Sequence, residues 1–265
     1  MSKFSNLLPR LVAAVIGAAL IMTSLILGQW FYFGIFFFIH LFCLIEFYRM
    51  LAHHGYKPML VLGTIAGSLL FVLSFLIESD LLSSEYYVLL FPIYSLVFLV
   101  KLYDKQDKAP FQSIAVFYLG LLYISVPFYF LNRLVFLTGE YSYQIIVGFL
   151  FLIWADDTGA YFSGSLFGKR KLFERISPKK SWEGLIGGAA LSLLFAWALT
   201  HLFHDLQPWQ WFIFGVLVVV AGTYGDLIES MLKRTMAIKD SGHSIPGHGG
   251  FLDRFDSLIY SVPFI

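Results

Sequence analysis

Residues 222–256, GTYGDLIESMLKRTMAIKDSGHSIPGHGGFLDRFD, gather side chains able to do chemistry. The run follows the apolar stretch WFIFGVLVVVAG, so Asp226 sits near the end of a membrane-length helix. A carboxylate at bilayer depth costs about 2.5–3.5 kcal/mol on insertion scales and normally faces a protein interior, a partner or an ion. From Asp226 onward, Glu229, Ser230, Lys233 and Arg234 recur at three- and four-residue spacing, a polar stripe along one side of a helix. After Pro246 come His248, Gly249 and Gly250, then Asp253 and Asp256, again three apart. Carboxylates on two helices, basic residues between them and a glycine pair exposing backbone N–H groups suit a divalent cation and phosphate oxygens. His243 and His248 lie in oxygen-rich surroundings, which favours a hard cation over zinc.

Two further stretches carry polar chemistry. In Trp154–Tyr161, WADDTGAY, two adjacent carboxylates interrupt an apolar run. Neighbouring side chains on a helix point about 100° apart, so only one aims at a shared site. In Ser177–Gly184, SPKKSWEG, Ser177 and Ser181 can donate to phosphate oxygens and Lys180 supplies a point charge. The helix start that follows adds free N–H groups. Lys169, Arg170 and Lys171 just before it are expected in any case as topogenic charges attracted to anionic lipid.

The order Ser230-x-x-Lys233-Arg234, Lys239-Asp240, His248-Gly249-Gly250, Asp253-Arg254-x-Asp256 resembles the signature of the phosphatidate cytidylyltransferase (CDP-diacylglycerol synthase) family. Asp157 before Thr158-Gly159-Ala160-Tyr161 and the Ser-Pro-x-Lys-Ser-x-Glu-Gly run are similar to further family elements. Asp156 departs from the pattern, standing where a small or neutral residue is more usual. The resemblance implies a nucleotidyltransferase of phospholipid biosynthesis that moves a cytidylyl group from CTP to phosphatidate, giving CDP-diacylglycerol and pyrophosphate. It makes Asp226 and Asp253 the expected main Mg2+ ligands, and Asp157 and Asp256 further ligands or orienters of a second cation. Asp226, Asp253, Lys233 and Arg254 are the expected catalytic residues. Ser177, Lys180, Ser181, Arg234, Lys239 and His248 are expected on the substrate phosphates, with Gly249 and Gly250 allowing close backbone approach. A phosphate monoester is already anionic near neutral pH, so Asp, Lys and Arg can serve this chemistry without a Ser-His-Asp arrangement. The alternative from the residues alone is a proton- or cation-coupled transporter using intramembrane carboxylates, against which stands the scarcity of polar residues toward the opposite side.

The elements that must position these residues are membrane helices. Of 265 residues, 58% are hydrophobic and 13% charged, and 29 are Phe, whereas soluble domains are about 25% charged. An all-α polytopic membrane protein is expected. Apolar runs of spanning length, about 20 residues, lie near 11–28, 30–50, 59–77, 87–103, 113–137, 143–163, 184–203 and 208–229. A ninth starts at Asp253 and stops after 13 residues, read as truncated. Glu46, near the end of the second run, is read as structural, snorkelling to the interface, and Trp30, Tyr86, Tyr87, Trp209 and Trp211 as an interfacial belt. Gly17, Gly63, Gly67, Gly184 and Gly188 suit close helix packing.

With the N-terminus cytoplasmic, nearly all loop Lys and Arg residues fall on the cytoplasmic side and only Arg133 on the other. The expected setting is a bacterial inner (plasma) membrane, with the charged signature facing the cytosol. A loop at 101–112 divides residues 1–112, N-terminal transmembrane helices, from 113–265, the catalytic part. Expected partners are CTP, phosphatidate and the lipid bilayer; nucleic acid is not expected, and the pattern is compatible with a homodimer.

Overall fold

The computed structural model describes residues 7–242, 244 and 249–265. In chain order it contains α1 (Leu7–Leu27), α2 (Gln29–His53), α3 (Leu60–Glu78), a 3-10 turn (Ser84–Leu89) leading into α4 (Leu90–Tyr103), and α5 (Pro110–Gly120). A π-helical turn (Leu121–Ser125) joins α5 to α6 (Val126–Val135). There follow α7 (Gln144–Phe167), strands β1 (Lys171–Phe173) and β2 (Ser177–Ser181), α8 (Trp182–Leu202), α9 (Pro208–Thr235), α10 (Leu252–Ser261) and a final 3-10 turn (Val262–Phe264).

Seven described segments are long and apolar enough to cross a membrane: Gln29–His53, Leu60–Glu78, Ser84–Tyr103, Pro110–Val135, Gln144–Phe167, Trp182–Leu202 and Pro208–Thr235. The apolar part of α1 is shorter, Ala14–Leu27. Large apolar side chains point outward from several spans, among them Phe91 at 76% exposure and Phe111 at 79%. Such surface is costly in water and is what a bilayer accepts. The chain is a multi-pass membrane protein of all-α class; its only sheet among the described residues is the antiparallel pair β1–β2, with Lys171 opposite Ser181 and Phe173 opposite Ser177.

The described residues form two compact units. One comprises those up to Tyr141 together with those of 240–254. In it, α2, α3 and the α5–α6 segment bury Phe36, Phe47, Phe71, Phe75, Phe117 and Phe128. Several polar groups inside this apolar mass are paired, which lowers the cost of burying them there. Asn132 accepts from the Tyr32 hydroxyl at 2.9 Å and donates to the Phe71 carbonyl at 3.0 Å and to Ser74 Oγ at 2.7 Å. The Tyr48 hydroxyl donates to the Phe117 carbonyl at 2.7 Å, and Gly63 and Gly120 leave the room its ring occupies. The π-turn precedes Pro127, which has no N–H to give the carbonyl of Tyr123, and a wide turn is a common way for a helix to absorb that loss. Arg133, the basic residue that breaks the loop charge asymmetry, pairs with Glu78 at 3.5 Å.

The other unit comprises 142–239 and 255–265. Its centre is the packing of α7 on α8. A Cβ added at Gly159 would lie 2.5 Å from the Gly187 carbonyl oxygen and 3.0 Å from Gly188 Cα, and one at Gly184 would lie 3.0 Å from the Ala160 carbonyl oxygen. The small-residue spacing of Gly184 and Gly188 therefore marks a close backbone approach, whereas nothing lies within 4 Å of a Cβ at Gly17. Gly159→Ala is expected to cost about 1–3 kcal/mol by overpacking, read as a fall in the thermal midpoint in detergent; an unchanged midpoint contradicts the tight α7–α8 contact. Trp211 corrects the interfacial-belt reading. It is fully buried, seated in the space left by Gly148, while Trp30 and Trp209 remain more than half exposed.

Candidate functional site

Helix α9 starts with Pro208 as a first-turn residue and Gln207 in a capping box with Gln210, whose side chain accepts from the Gln207 N–H at 2.6 Å. It then runs unbroken to Thr235, so the polar stripe from Asp226 to Arg234 lies on a single helix. Lys233 and Arg234 fall in its last turn, where cations complement the helix dipole, and Arg234 donates to the Ile238 carbonyl at 3.2 Å.

Helix α10 comes close to α9 at Gly225, the residue before Asp226. A Cβ there would meet the Asp256 carbonyl oxygen at 2.9 Å and Tyr260 Cβ at 2.8 Å. This approach brings carboxylate oxygens of Asp226, Glu229 and Asp256 within 4.8 Å of one another. Lys180 at the end of β2 reaches the group, 2.7 Å from Asp226 Oδ2 and donating to the Thr223 carbonyl at 3.3 Å. Lys233 pairs with Glu229 one turn earlier on α9, and Ser230 donates to the other oxygen of Asp226 at 3.1 Å. Three carboxylates so close together offer oxygen donors of the kind a hard divalent cation takes. Asp157 on α7 is exposed and within electrostatic reach of Lys180 and Asp226. Asp156 is instead buried, its carboxylate against Gly188 of α8.

The β1–β2 hairpin and the start of α8 are held by their own residues. Ser181 is buried and is the N-cap of α8, its Oγ accepting the Gly184 N–H at 3.1 Å. Glu183 accepts the N–H groups of Lys169 and Arg170 at 3.1–3.2 Å. Ser177 is half-buried at the start of β2, and Lys239 is exposed beyond α9.

Asp253 belongs to the first unit. Its carboxylate accepts the N–H groups of Ser241 at 3.0 Å and Gly250 at 2.9 Å. Gly249 has φ +86°, and a Cβ there would lie 2.7 Å from Asp253 Oδ2. Arg254 is exposed. The expectation for His248 falls outside the described residues. Two features escaped the sequence reading. Glu229 was seen only as part of the stripe, although its three-residue offset from Asp226 was the signal. Gly225 owes its role to the neighbouring helix, and nothing in its local sequence marks it.

The model of the "Cytidylyltransferase family" matches residues 8–265. A Haemophilus influenzae protein named phosphatidate cytidylyltransferase is 51% identical over 118 residues, 43% of this chain and 41% of that protein. Proteins of the same name from Staphylococcus aureus (strain COL) and Bacillus subtilis (strain 168) are 38% and 37% identical over 162 and 161 residues, 60% of each chain. The matched region thus spans between 41% and 60% of the length of these relatives. With a match over nearly its whole length, the chain belongs to the cytidylyltransferase family.

Proposed function

We propose that this protein transfers a cytidylyl group from CTP to phosphatidate, forming CDP-diacylglycerol and pyrophosphate. The observation that carries the reading is the meeting of the Asp226, Glu229 and Asp256 carboxylates beside Lys180 in a protein of otherwise apolar spans. Family membership and the names of the relatives point to the same substrates.

In this reaction a phosphate oxygen of phosphatidate attacks the α-phosphorus of CTP. The bond from that phosphorus to the bridging oxygen breaks, and pyrophosphate leaves with the electron pair. The attacking oxygen needs no general base. What two highly anionic reactants need is charge compensation and alignment. Lys180 and Lys233 stand where they can supply positive charge. Asp226, with Glu229 and Asp256, would hold Mg2+, and Asp157 would orient a second cation; Asp253 is assigned to cation binding by the resemblance. A bound divalent cation supplies electrostatic screening of the reacting phosphates. Arg234, Lys239, Arg254, Ser177 and Ser181 are assigned to the substrate phosphates on the same ground, as are Gly249 and Gly250 for close backbone approach.

The site is proposed to face the cytosol from a bacterial inner membrane, the side that the loop Lys and Arg residues favour. A cysteine replacing exposed Lys105 is then labelled by an impermeant reagent only from the cytosolic side, and one replacing Leu81 only from outside; the native Cys43 is buried. Reversed labelling overturns the orientation. The function itself is tested by supplying purified protein with phosphatidate, Mg2+ and CTP labelled at either the α- or the γ-phosphate. Label from the α-position alone should enter lipid. No labelled lipid, or lipid labelled from the γ-position, refutes cytidylyl transfer.

A further inference from the structure

Glu46 is a buried carboxylate in the C-terminal part of an apolar helix, and it is far from idle. It sits on α2 about two hundred positions before its partners, yet it accepts hydrogen bonds from four groups of the segment that leads into α10. Ser241 Oγ donates to Oε1 and Ser244 Oγ to Oε2 at 3.0 Å. The N–H groups of Phe251 and Leu252 donate to Oε2 and Oε1, each at 3.1 Å. All of these residues lie within the first unit.

The segment is shaped to receive this carboxylate. A Cβ at Gly242 would lie 2.7 Å from Glu46 Oε2, and one at Gly250 would collide with Oε1. One helix turn away, Phe42 stacks on Phe251 with ring centroids 5.0 Å apart and an interplanar angle of 15°. Leu252 is the first residue of α10. Glu46 thus does from a distant helix what an N-terminal capping carboxylate does locally: it satisfies otherwise unpaired N–H groups and places a negative charge at the positive end of the helix dipole. Asp253, the next residue, uses its own carboxylate on the N–H groups of Ser241 and Gly250. The two acids therefore grip the same segment, Glu46 fixing the backbone from which Asp253 projects.

We infer that Glu46 is a positioning residue: it anchors the start of α10 and the described residues just before it, and so fixes the backbone that carries Asp253, the carboxylate assigned to cation binding in the proposed function. The inference rests on the proposed role of Asp253. A carboxylate that only stabilised α2 would need none of these four donors. A carboxylate that only snorkelled to the interface would be exposed rather than buried.

The test uses the full-length protein in lipid nanodiscs, comparing wild type with Glu46→Gln and Ser241→Ala. The glutamine keeps the size of the side chain but loses the charge and one of the two acceptor oxygens. The second variant removes one donor while leaving every buried charge and backbone N–H in place, so it reports even if the first fails to fold. Amide exchange at Phe251 and Leu252 should accelerate by about ten-fold in Glu46→Gln, the scale of losing a hydrogen bond to a charged group. The Mg2+ concentration for half-maximal turnover should rise by about ten-fold, as is typical when a residue supporting a ligand is changed, while turnover at saturating Mg2+ stays within a few-fold of wild type. Ser241→Ala should shift both readouts in the same direction by less. Faster exchange with an unchanged Mg2+ midpoint would make Glu46 a purely structural clamp and overturn the inference, as would unchanged exchange. A wild type that forms no lipid-linked cytidine refutes the proposed reaction instead, and the exchange measurement then still decides whether Glu46 anchors α10.

Discussion

Asp226→Asn is expected to lower turnover by at least about 10²-fold, the scale of removing one major electrostatic stabiliser from a catalytic site, with the protein still inserted at normal abundance. The substitution keeps the shape of the side chain and one acceptor for the Ser230 hydroxyl. It removes the charge that Lys180 pairs with at 2.7 Å and that the cluster with Glu229 and Asp256 would present to a cation. Because Asp226 is only half-buried, its loss leaves no large apolar gap, and α9 keeps its apolar face and its Gly225 contact with α10. Near-normal turnover at ordinary Mg2+ concentration contradicts its assignment.

Asp253→Asn is expected to act as strongly, again by at least about 10²-fold, for a related reason on a different part of the chain. The carboxylate accepts two backbone N–H groups through 3.0 and 2.9 Å contacts. An amide oxygen can keep accepting from one of them, and the four donors to Glu46 still tether the segment. The variant therefore tests the charge at position 253 more than the local fold. Rates are measured at saturating CTP and phosphatidate; a loss of less than about ten-fold there is too small for a main ligand or catalytic carboxylate and would return Asp253 to a structural role.

The helices were legible because long apolar runs have few alternatives. The run at 30–50 corresponds to Gln29–His53, that at 184–203 to Trp182–Leu202, and the polar stripe after Asp226 prolongs α9 to Thr235. Smaller features were hidden for physical reasons. The strands at 171–173 and 177–181 are too short for alternation to emerge from a run of topogenic Lys and Arg. The burial of Trp211 depends on a glycine sixty-odd positions earlier, and the burial of Glu46 on donors near the other end of the chain. The described residues of 240–254 join the helices before 141 through that same Glu46 contact. Local pattern cannot report a partner so distant in sequence. The residue types of the candidate site were more legible than its geometry, since carboxylates and basic residues at fixed offsets are visible in the sequence itself. Which of those carboxylates come together was set by α10 closing on Gly225, and that brought in Glu229.

The central claim is that the carboxylates of α9 and α10 bind the divalent cation required for cytidylyl transfer. It is tested most directly by titrating purified protein in nanodiscs with Mn2+ in place of Mg2+ and following bound ion by electron paramagnetic resonance. The wild type should show a saturable site that supports formation of lipid-linked cytidine from CTP, and Asp226→Asn should weaken that site by at least about ten-fold and lose the activity with it. Equal Mn2+ binding by the wild type and Asp226→Asn, or full activity with no divalent cation present, would contradict the account.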